Sequence, residues 1–295
     1  MHTLLIINPK AGRKAAQYNF NKVVKVFSQY GMDVTVVSTK CRKDATNITK
    51  SLASQYDLVV CMGGDGTLNE VVIGLMSLPV DERPKFGYIP AGTTNDFAKN
   101  LKIPTDANKA AEIIANGKVR SIDIGYFQNT NFIYSATFGF LTEVAYLTDQ
   151  KKKNVLGKFA YFIEGIKRIW RNNSYEITME YDGHRIEGNF AFGAITNTLS
   201  LAGLIKFDPK KINLDDGLFE VILIENPKKT SILRMTFAKL MQNKIDKNLV
   251  HLITASNIKI TSKNPIAWCI DGESGGDFTD VMIENKMRSI EVISP

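Results

Sequence analysis

The sequence predicts two folds in series: an α/β N-terminal nucleotide domain, doubly wound about a mostly parallel sheet, and a C-terminal antiparallel β-sandwich domain. Three observations lead there. Up to about residue 123, short apolar runs alternate with stretches of helical spacing. The run Leu58–Met62 is apolar throughout and ends in glycines, as a buried parallel strand feeding a turn does. After Asp123 the repeat shortens to two residues. Tyr175, Ile177, Met179 and Tyr181 alternate with polar neighbours, and Asp182-Gly183 follows as a hairpin signal. The domains this gives are 1–125 and 126–295, the final residues being able to return to the first.

In chain order, Leu4–Ile7 is a short strand, and Phe20, Val23, Val24 and Phe27 mark one face of a helix. Asp33–Ser38 alternates as a strand, Ala45–Leu52 is helical, and Leu58–Met62 is the buried strand already named. Helical spacing resumes over Thr67–Met76 through Leu68, Val71, Val72 and Leu75. Phe86–Ile89 is a further strand before a Pro-Ala-Gly turn, and Asp106 caps a helix that ends near Asn116-Gly117. In the second half Leu218–Ile224, Ile258–Ile260, Val281–Ile283 and Ile290–Ile293 are strands. A helix spans Phe159–Trp170, and another, capped by Ser231, carries Leu233, Phe237, Leu240 and Met241.

Composition sets the class. At 295 residues, with 44% hydrophobic and 23% charged, the chain can bury a core without a disulfide or metal staple. Cys41, Cys61 and Cys269 lack CxxC pairing and read as structural thiols of a reducing compartment. His2, His184 and His251 lack zinc spacing. No basic leader precedes the first strand, and the uncharged stretches Ile124–Thr142 and Gly188–Ile205 are too polar to span a bilayer. The reading is cytoplasmic, with access to a membrane surface. The net charge of +7 suits nucleotides, nucleic acid or anionic lipid alike, but no nucleic-acid motif accompanies it.

The chemistry concentrates in turns. Gly63-Gly64-Asp65-Gly66-Thr67-Leu68-Asn69-Glu70 places glycines between a buried strand and a helix, where backbone N–H groups can approach a phosphate. Asp65 would repel that phosphate unless a cation such as Mg²⁺ lay between them. The competing reading is a tight glycine turn with Asp65 as a helix cap. Neither GxxxxGK[ST] nor GxGxxG occurs. Pro90-Ala91-Gly92-Thr93-Thr94-Asn95-Asp96-Phe97 repeats the design, and Asn8-Pro9-Lys10-Ala11-Gly12 follows the first strand. In an open α/β sheet all three turns fall at the carboxyl ends of strands, where ligands bind. Asp215-Asp216-Gly217 and Asp271-Gly272-Glu273 read individually as β-turns.

Taken together, GGDGTLNE, the Pro-Ala-Gly-Thr-Thr-Asn-Asp-Phe turn, Leu214-Asp215-Asp216-Gly217 and Ile270-Asp271-Gly272-Glu273 resemble the bacterial soluble diacylglycerol kinases. Those enzymes are relatives of sphingosine and ceramide kinases and, more distantly, of NAD kinases. The resemblance runs over essentially the whole chain. It implies a lipid kinase that uses ATP and Mg²⁺ to phosphorylate the hydroxyl of diacylglycerol, a membrane lipid, during peripheral contact with the inner face of the membrane. By resemblance, Asn8, Pro9, Lys10, Ala11, Gly12, Thr39, Gly63, Gly64, Asp65, Gly66, Thr67, Leu68, Asn69 and Thr93 hold ATP. Asp65, Asp96 and Asp123 form a carboxylate and water network around a catalytic Mg²⁺, and Glu273 is the general base. A structural Mg²⁺ sits on Asp216 with backbone carbonyls near Asn213 and Leu218. Lys151-Lys152-Lys153, Lys158, Lys167, Arg168 and Arg171 around Phe159–Trp170 suit docking on anionic lipid, or else a solvated face over a buried stripe. Edge strands of the β domain would allow a homodimer.

One segment departs from the pattern: Thr196–Gly203 reads TNTLSLAG where some relatives are glycine-rich. Other acceptors therefore stay open, including phosphatidylglycerol, monoacylglycerol, a sphingoid base or NAD, as does a nucleotide-binding regulator without catalysis.

Overall fold

A computed structural model describes residues 1–139, 174–198, 200–201, 205–206, 212–227, 229–242 and 244–295. It divides into two compact units, Met1–Ile124 with Met287–Pro295, and Gly125–Lys286. The stretches around Phe159–Trp170 and Lys151–Arg171 lie outside the described residues, as do positions 199, 202 and 203 of the TNTLSLAG segment.

In the first unit the order is β1 (His2–Ile7), α1 (Ala15–Gln29), β2 (Asp33–Ser38), α2 (Asp44–Leu52), β3 (Leu58–Gly63), α3 (Asp65–Met76), β4 (Lys85–Pro90), α4 (Asp96–Asn100), α5 (Ala107–Asn116) and β5 (Lys118–Phe127). The sheet runs β4-β3-β1-β2, all parallel. Stepping from β1 to β2 and then back across to β3 reverses the winding. Right-handed crossovers therefore place α1 on one face and α2 with α3 on the other. Accordingly α2 packs on α3 and α1 on α5. With both faces covered, Leu4–Ile7 and Leu58–Met62 are buried at every residue, which is why they read as unbroken apolar runs. Residues 287–294 complete this unit, with Val292 parallel to Phe86 of β4.

The second unit is β-rich. It contains β6 (Thr130–Phe132), β7 (Ser135–Gly139), β8 (Tyr175–Tyr181), β9 (His184–Thr196), the short pair β10 (Ser200–Leu201) and β11 (Ile205–Lys206), β12 (Phe219–Glu225), α6 (Thr230–Met241), β13 (Val250–Ala255), β14 (Asn257–Ile270) and, as far as Lys286, β15 (Glu273–Ser294). Its strands pair antiparallel. The two long strands change neighbours along their length: β9 pairs with β8 over its first half and with β7 and β12 over its second. Likewise β14 passes from β8 to β7, with a bulge between Thr261 and Ile266. The core so enclosed centres on Trp268, whose ring lies 5.0 Å from Phe127 and 5.1 Å from Phe138.

Four local expectations change. The third helix starts at Asp65 rather than Thr67, so Asp65 and Gly66 form its first turn. A short helix, α4, occupies Asp96–Asn100, where only a turn was expected. Val281–Ile283 and Ile290–Ile293 belong to one strand, β15, which runs unbroken through the polar residues between them. Ser231 does not cap α6: that helix begins one residue earlier, after Lys229, with no side-chain cap.

Candidate active site

The sheet order reverses beside β1 and β3, and a reversal of this kind opens a crevice at the carboxyl ends of the strands. Two turns meet there. The amide N–H of Asn8 donates to the Met62 carbonyl at 3.0 Å, and its side-chain Nδ2 donates to Thr67 Oγ1 at 2.9 Å. Asn8 Oδ1 in turn accepts the Lys10 N–H at 3.0 Å, which shapes the first turn. Thr39 ends the β1–β2 pairing, donating its N–H to Ile7 at 2.8 Å.

The second and third turns touch. A Cβ on Gly92 would lie 2.6 Å from Gly64 Cα, so at this crossing only hydrogen fits. Asp65 bridges the same pair: Oδ2 accepts the Asn95 N–H and Oδ1 the Asp96 N–H, each at 2.9 Å. A Cβ on Gly66 would meet nothing within 4 Å. The first turn of α3 is thus open on the side where its N–H groups and the positive end of its dipole are available to an anion.

Beneath the turns lies Tyr88, fully buried, its hydroxyl 3.1 Å from the Gly63 carbonyl and 3.2 Å from Asn95 Oδ1. Burial, then the neighbouring Cys61, Asp65 and Asp96, push this phenol up, so it stays a protonated donor. Asn95 is 5% exposed with φ 51°, a left-handed position that asparagine tolerates.

The acidic residues take different places. Asp96 pairs with Lys99 at 3.0 Å and Thr93 is exposed beside it. Asp123 is 1% exposed, with Oδ1 accepting the Arg288 N–H at 2.7 Å. Among the described residues no group of three His, Cys, Asp or Glu side chains could grip a metal ion together. Magnesium does not need such a cage, since it is commonly held by one or two carboxylates, waters and substrate phosphates. Asp65, a carboxylate in the first turn of α3, is a donor of that kind. Glu70 instead serves the scaffold, where its carboxylate accepts the N–H groups of Lys43 at 2.8 Å and Ala45 at 3.2 Å, capping α2 from a neighbouring helix.

In the second unit, Asp216 Oδ1 accepts the Leu218 N–H at 3.1 Å and Asn213 is exposed. Sequence reasoning passed over Glu220, whose buried Oε2 has no hydrogen-bond partner. The signal was present: Glu220 shares a strand face with Ile222 and Ile224, both buried. Burial and then the Asp216 charge push its carboxyl up to about 8. An orphaned carboxylate oxygen near a second carboxylate suits a hard cation. Without metal, the unfolded chain loses this proton near 4.5 and the folded chain near 8, so the native state binds more protons between those values. Stability is therefore expected to fall as pH rises through that window. Melting curves in chelator should show Glu220→Gln flattening the decline; an identical decline in both proteins would refute it.

Glu273 opens β15 and is exposed. It follows a turn in which Asp271 has φ 49° and Gly272 φ 85°. The Asp271 carboxylate accepts the N–H groups of Ile133 at 2.8 Å, Tyr134 at 2.8 Å and Ser135 at 2.9 Å, pinning that turn. Among the described residues no helix is long and apolar enough to cross a membrane.

Comparison with known proteins agrees with this layout. Residues 2–127 match the diacylglycerol kinase catalytic domain, and residues 135–293 match the YegS C-terminal NAD kinase beta sandwich-like domain. The chain is 35% identical to a diacylglycerol kinase of Bacillus subtilis (strain 168), over 99% of this chain and 95% of that relative. A diacylglycerol kinase of Staphylococcus carnosus (strain TM300) is 33% identical over 99% and 94%. A solved diacylglycerol kinase structure from Bacillus anthracis str. Sterne covers 100% of this chain and 97% of its own, at 25% identity and TM-score 0.78. Another structure from that organism reaches TM-score 0.85 at 28% identity, covering 100% and 95%. With its switch-point turns and β-rich second half, the chain belongs to the bacterial diacylglycerol kinase family of lipid kinases, carrying a catalytic α/β domain and an NAD kinase-like β-sandwich domain.

Proposed function

We propose that the chain is an ATP- and Mg²⁺-dependent diacylglycerol kinase that moves the γ-phosphoryl group to the lipid's free hydroxyl, giving phosphatidic acid and ADP. The observation that carries this reading is the contact of Gly64 with Gly92, clamped by Asp65, above the open first turn of α3. Phosphoryl transfer asks a protein mainly to position reactants and to balance charge. The turns at Asn8–Gly12, Gly63–Asn69 and Thr93, with Thr39, hold the nucleotide, their N–H groups facing phosphate oxygens. Asp65 would hold Mg²⁺, with Asp96 and Asp123 as the further carboxylates of that network. When bound, the ion would offset negative charge on the phosphates. Glu273 takes the proton as the lipid oxygen bonds to phosphorus and the bond from phosphorus to the leaving ADP oxygen breaks. Asp216, with carbonyls at Asn213 and Leu218, would hold a structural Mg²⁺, and Glu220 would supply a further carboxylate there. Peripheral contact with the inner membrane face follows from an acceptor that resides in the bilayer.

The test is transfer from labelled ATP with Mg²⁺ to mixed vesicles containing diacylglycerol, with phosphatidylglycerol, monoacylglycerol, a sphingoid base and soluble NAD in parallel. Label on diacylglycerol supports the reading; label on NAD alone overturns the acceptor. The Thr196–Gly203 segment makes the comparison informative, because its glycine-poor sequence bears on acceptor choice. A second test separates site from scaffold. Gly66→Ala adds a methyl into open space at the start of a helix, so melting should be unchanged or slightly higher. ATP affinity, measured by calorimetry, should fall about tenfold or more, since that space belongs to the phosphate. Wild-type affinity would remove Gly66 from the site.

A further inference from the structure

Asp65 clamps the two glycine turns; a second fastening rests on two side chains, those of Tyr88 and Asn95, neither of which is assigned to ATP. Asn95 makes its bonds in both directions within its own turn: Oδ1 accepts the Gly92 N–H at 2.9 Å, and Nδ2 donates to the Gly92 carbonyl at 3.0 Å. Tyr88 then joins this turn to the other, its hydroxyl lying within reach of both Asn95 Oδ1 and the Gly63 carbonyl. The Gly63 carbonyl also accepts the Ala91 N–H at 2.7 Å, the last rung of the β3–β4 ladder. The Tyr88 ring is held by Phe97 of α4, edge-on at 5.8 Å. Neither side chain is exposed enough to meet a nucleotide, yet both set the distance between the turns that would.

We propose that Tyr88 and Asn95 are positioning residues, a buried hydrogen-bond lock that fixes the separation of the Gly64 and Gly92 turns and thereby sets nucleotide affinity. This rests on the kinase reading in one respect only, that the ligand of the turns is ATP.

The lock separates into parts. Tyr88→Phe keeps the ring against Phe97 and removes the hydroxyl shared by the two turns. Asn95→Gly keeps the left-handed backbone and removes the side chain that holds Gly92. Hydrogen exchange reads the lock without a ligand, because the Gly92 amide is bonded to Asn95 and the Asp96 amide to Asp65. Loss of one buried hydrogen bond is expected to accelerate exchange at Gly92 and Asp96 about five- to tenfold in Tyr88→Phe. The dissociation constant for ATP with Mg²⁺ should rise by a similar factor, with the lipid KM unchanged. Asn95→Gly, which loses several bonds, is expected to show roughly a hundredfold effect on both readouts. Unaltered exchange in both variants overturns the proposal, and so does faster exchange with unchanged ATP affinity. Failure of the kinase reading is distinguishable: the wild-type chain itself then binds no ATP, while the exchange comparison still judges the lock.

Discussion

Glu273→Gln is expected to lower turnover about a thousandfold while ATP binds as it does to the wild-type chain. Glutamine matches the carboxylate in size but cannot accept the proton that the proposed base would take from the lipid hydroxyl. Glu273 is exposed at the start of β15, and glutamine fills the same volume there. The Asp271 carboxylate, with its three backbone bonds, holds the turn in either protein. Fold and nucleotide affinity therefore serve as internal controls. The decisive measurement is single-turnover transfer to diacylglycerol vesicles beside calorimetric titration with ATP. Turnover within tenfold of wild type would remove Glu273 as the base.

The second large effect belongs to Asp65. Asp65→Ala is expected to abolish measurable turnover, a loss of about a thousandfold or more, and with it the response to Mg²⁺ concentration. Two consequences coincide in that variant. The charge proposed to orient the cation disappears, and the N–H groups of Asn95 and Asp96 lose the oxygens that joined their turn to α3. Asp65→Asn distinguishes them, because it retains one accepting oxygen and most of the shape while removing the charge. If the charge matters most, Asp65→Asn loses Mg²⁺ dependence as Asp65→Ala does. Wild-type kinetics in Asp65→Ala would eliminate the metal role.

Much of the fold was legible because it was local. Continuous apolar runs at Leu4–Ile7 and Leu58–Met62 report burial on both faces, and Asp106 accepts the Lys109 N–H at 2.9 Å as a helix cap should. Tyr175–Tyr181 and the hairpin after it were equally plain, since Asp182 and Gly183 both adopt positive φ, at 42° and 83°. The candidate site was legible as glycine turns that the fold brings together, but the contacts of individual residues were not. Asp65 reaches residues thirty and thirty-one positions away, and Glu70 caps a helix twenty-five positions earlier. Periodicity identifies a buried face and carries no information about which distant N–H a carboxylate will meet. Tyr88 shows the same limit, for nothing in a strand pattern separates a buried tyrosine that packs from one that also fastens two turns. Glu220 differs: a charge among buried isoleucines is visible in sequence and simply outweighed by its apolar neighbours.

The first unit contains residues from both sides of the second, and that has a consequence for biosynthesis. Residues 287–294 bring Ile290, Val292 and Ile293 into its core, and the Ser289 carbonyl accepts a bond from Arg83 Nη1 at 2.8 Å. At ~5–20 residues per second, a ribosome that has delivered Ile124 needs roughly 10 to 30 s more to reach Met287. Through that interval the nascent α/β unit waits with the outer edge of β4 uncovered and Arg83 without its final acceptor. The entire second unit is synthesised meanwhile, so the α/β unit gains its last residues only after the sandwich sequence has emerged.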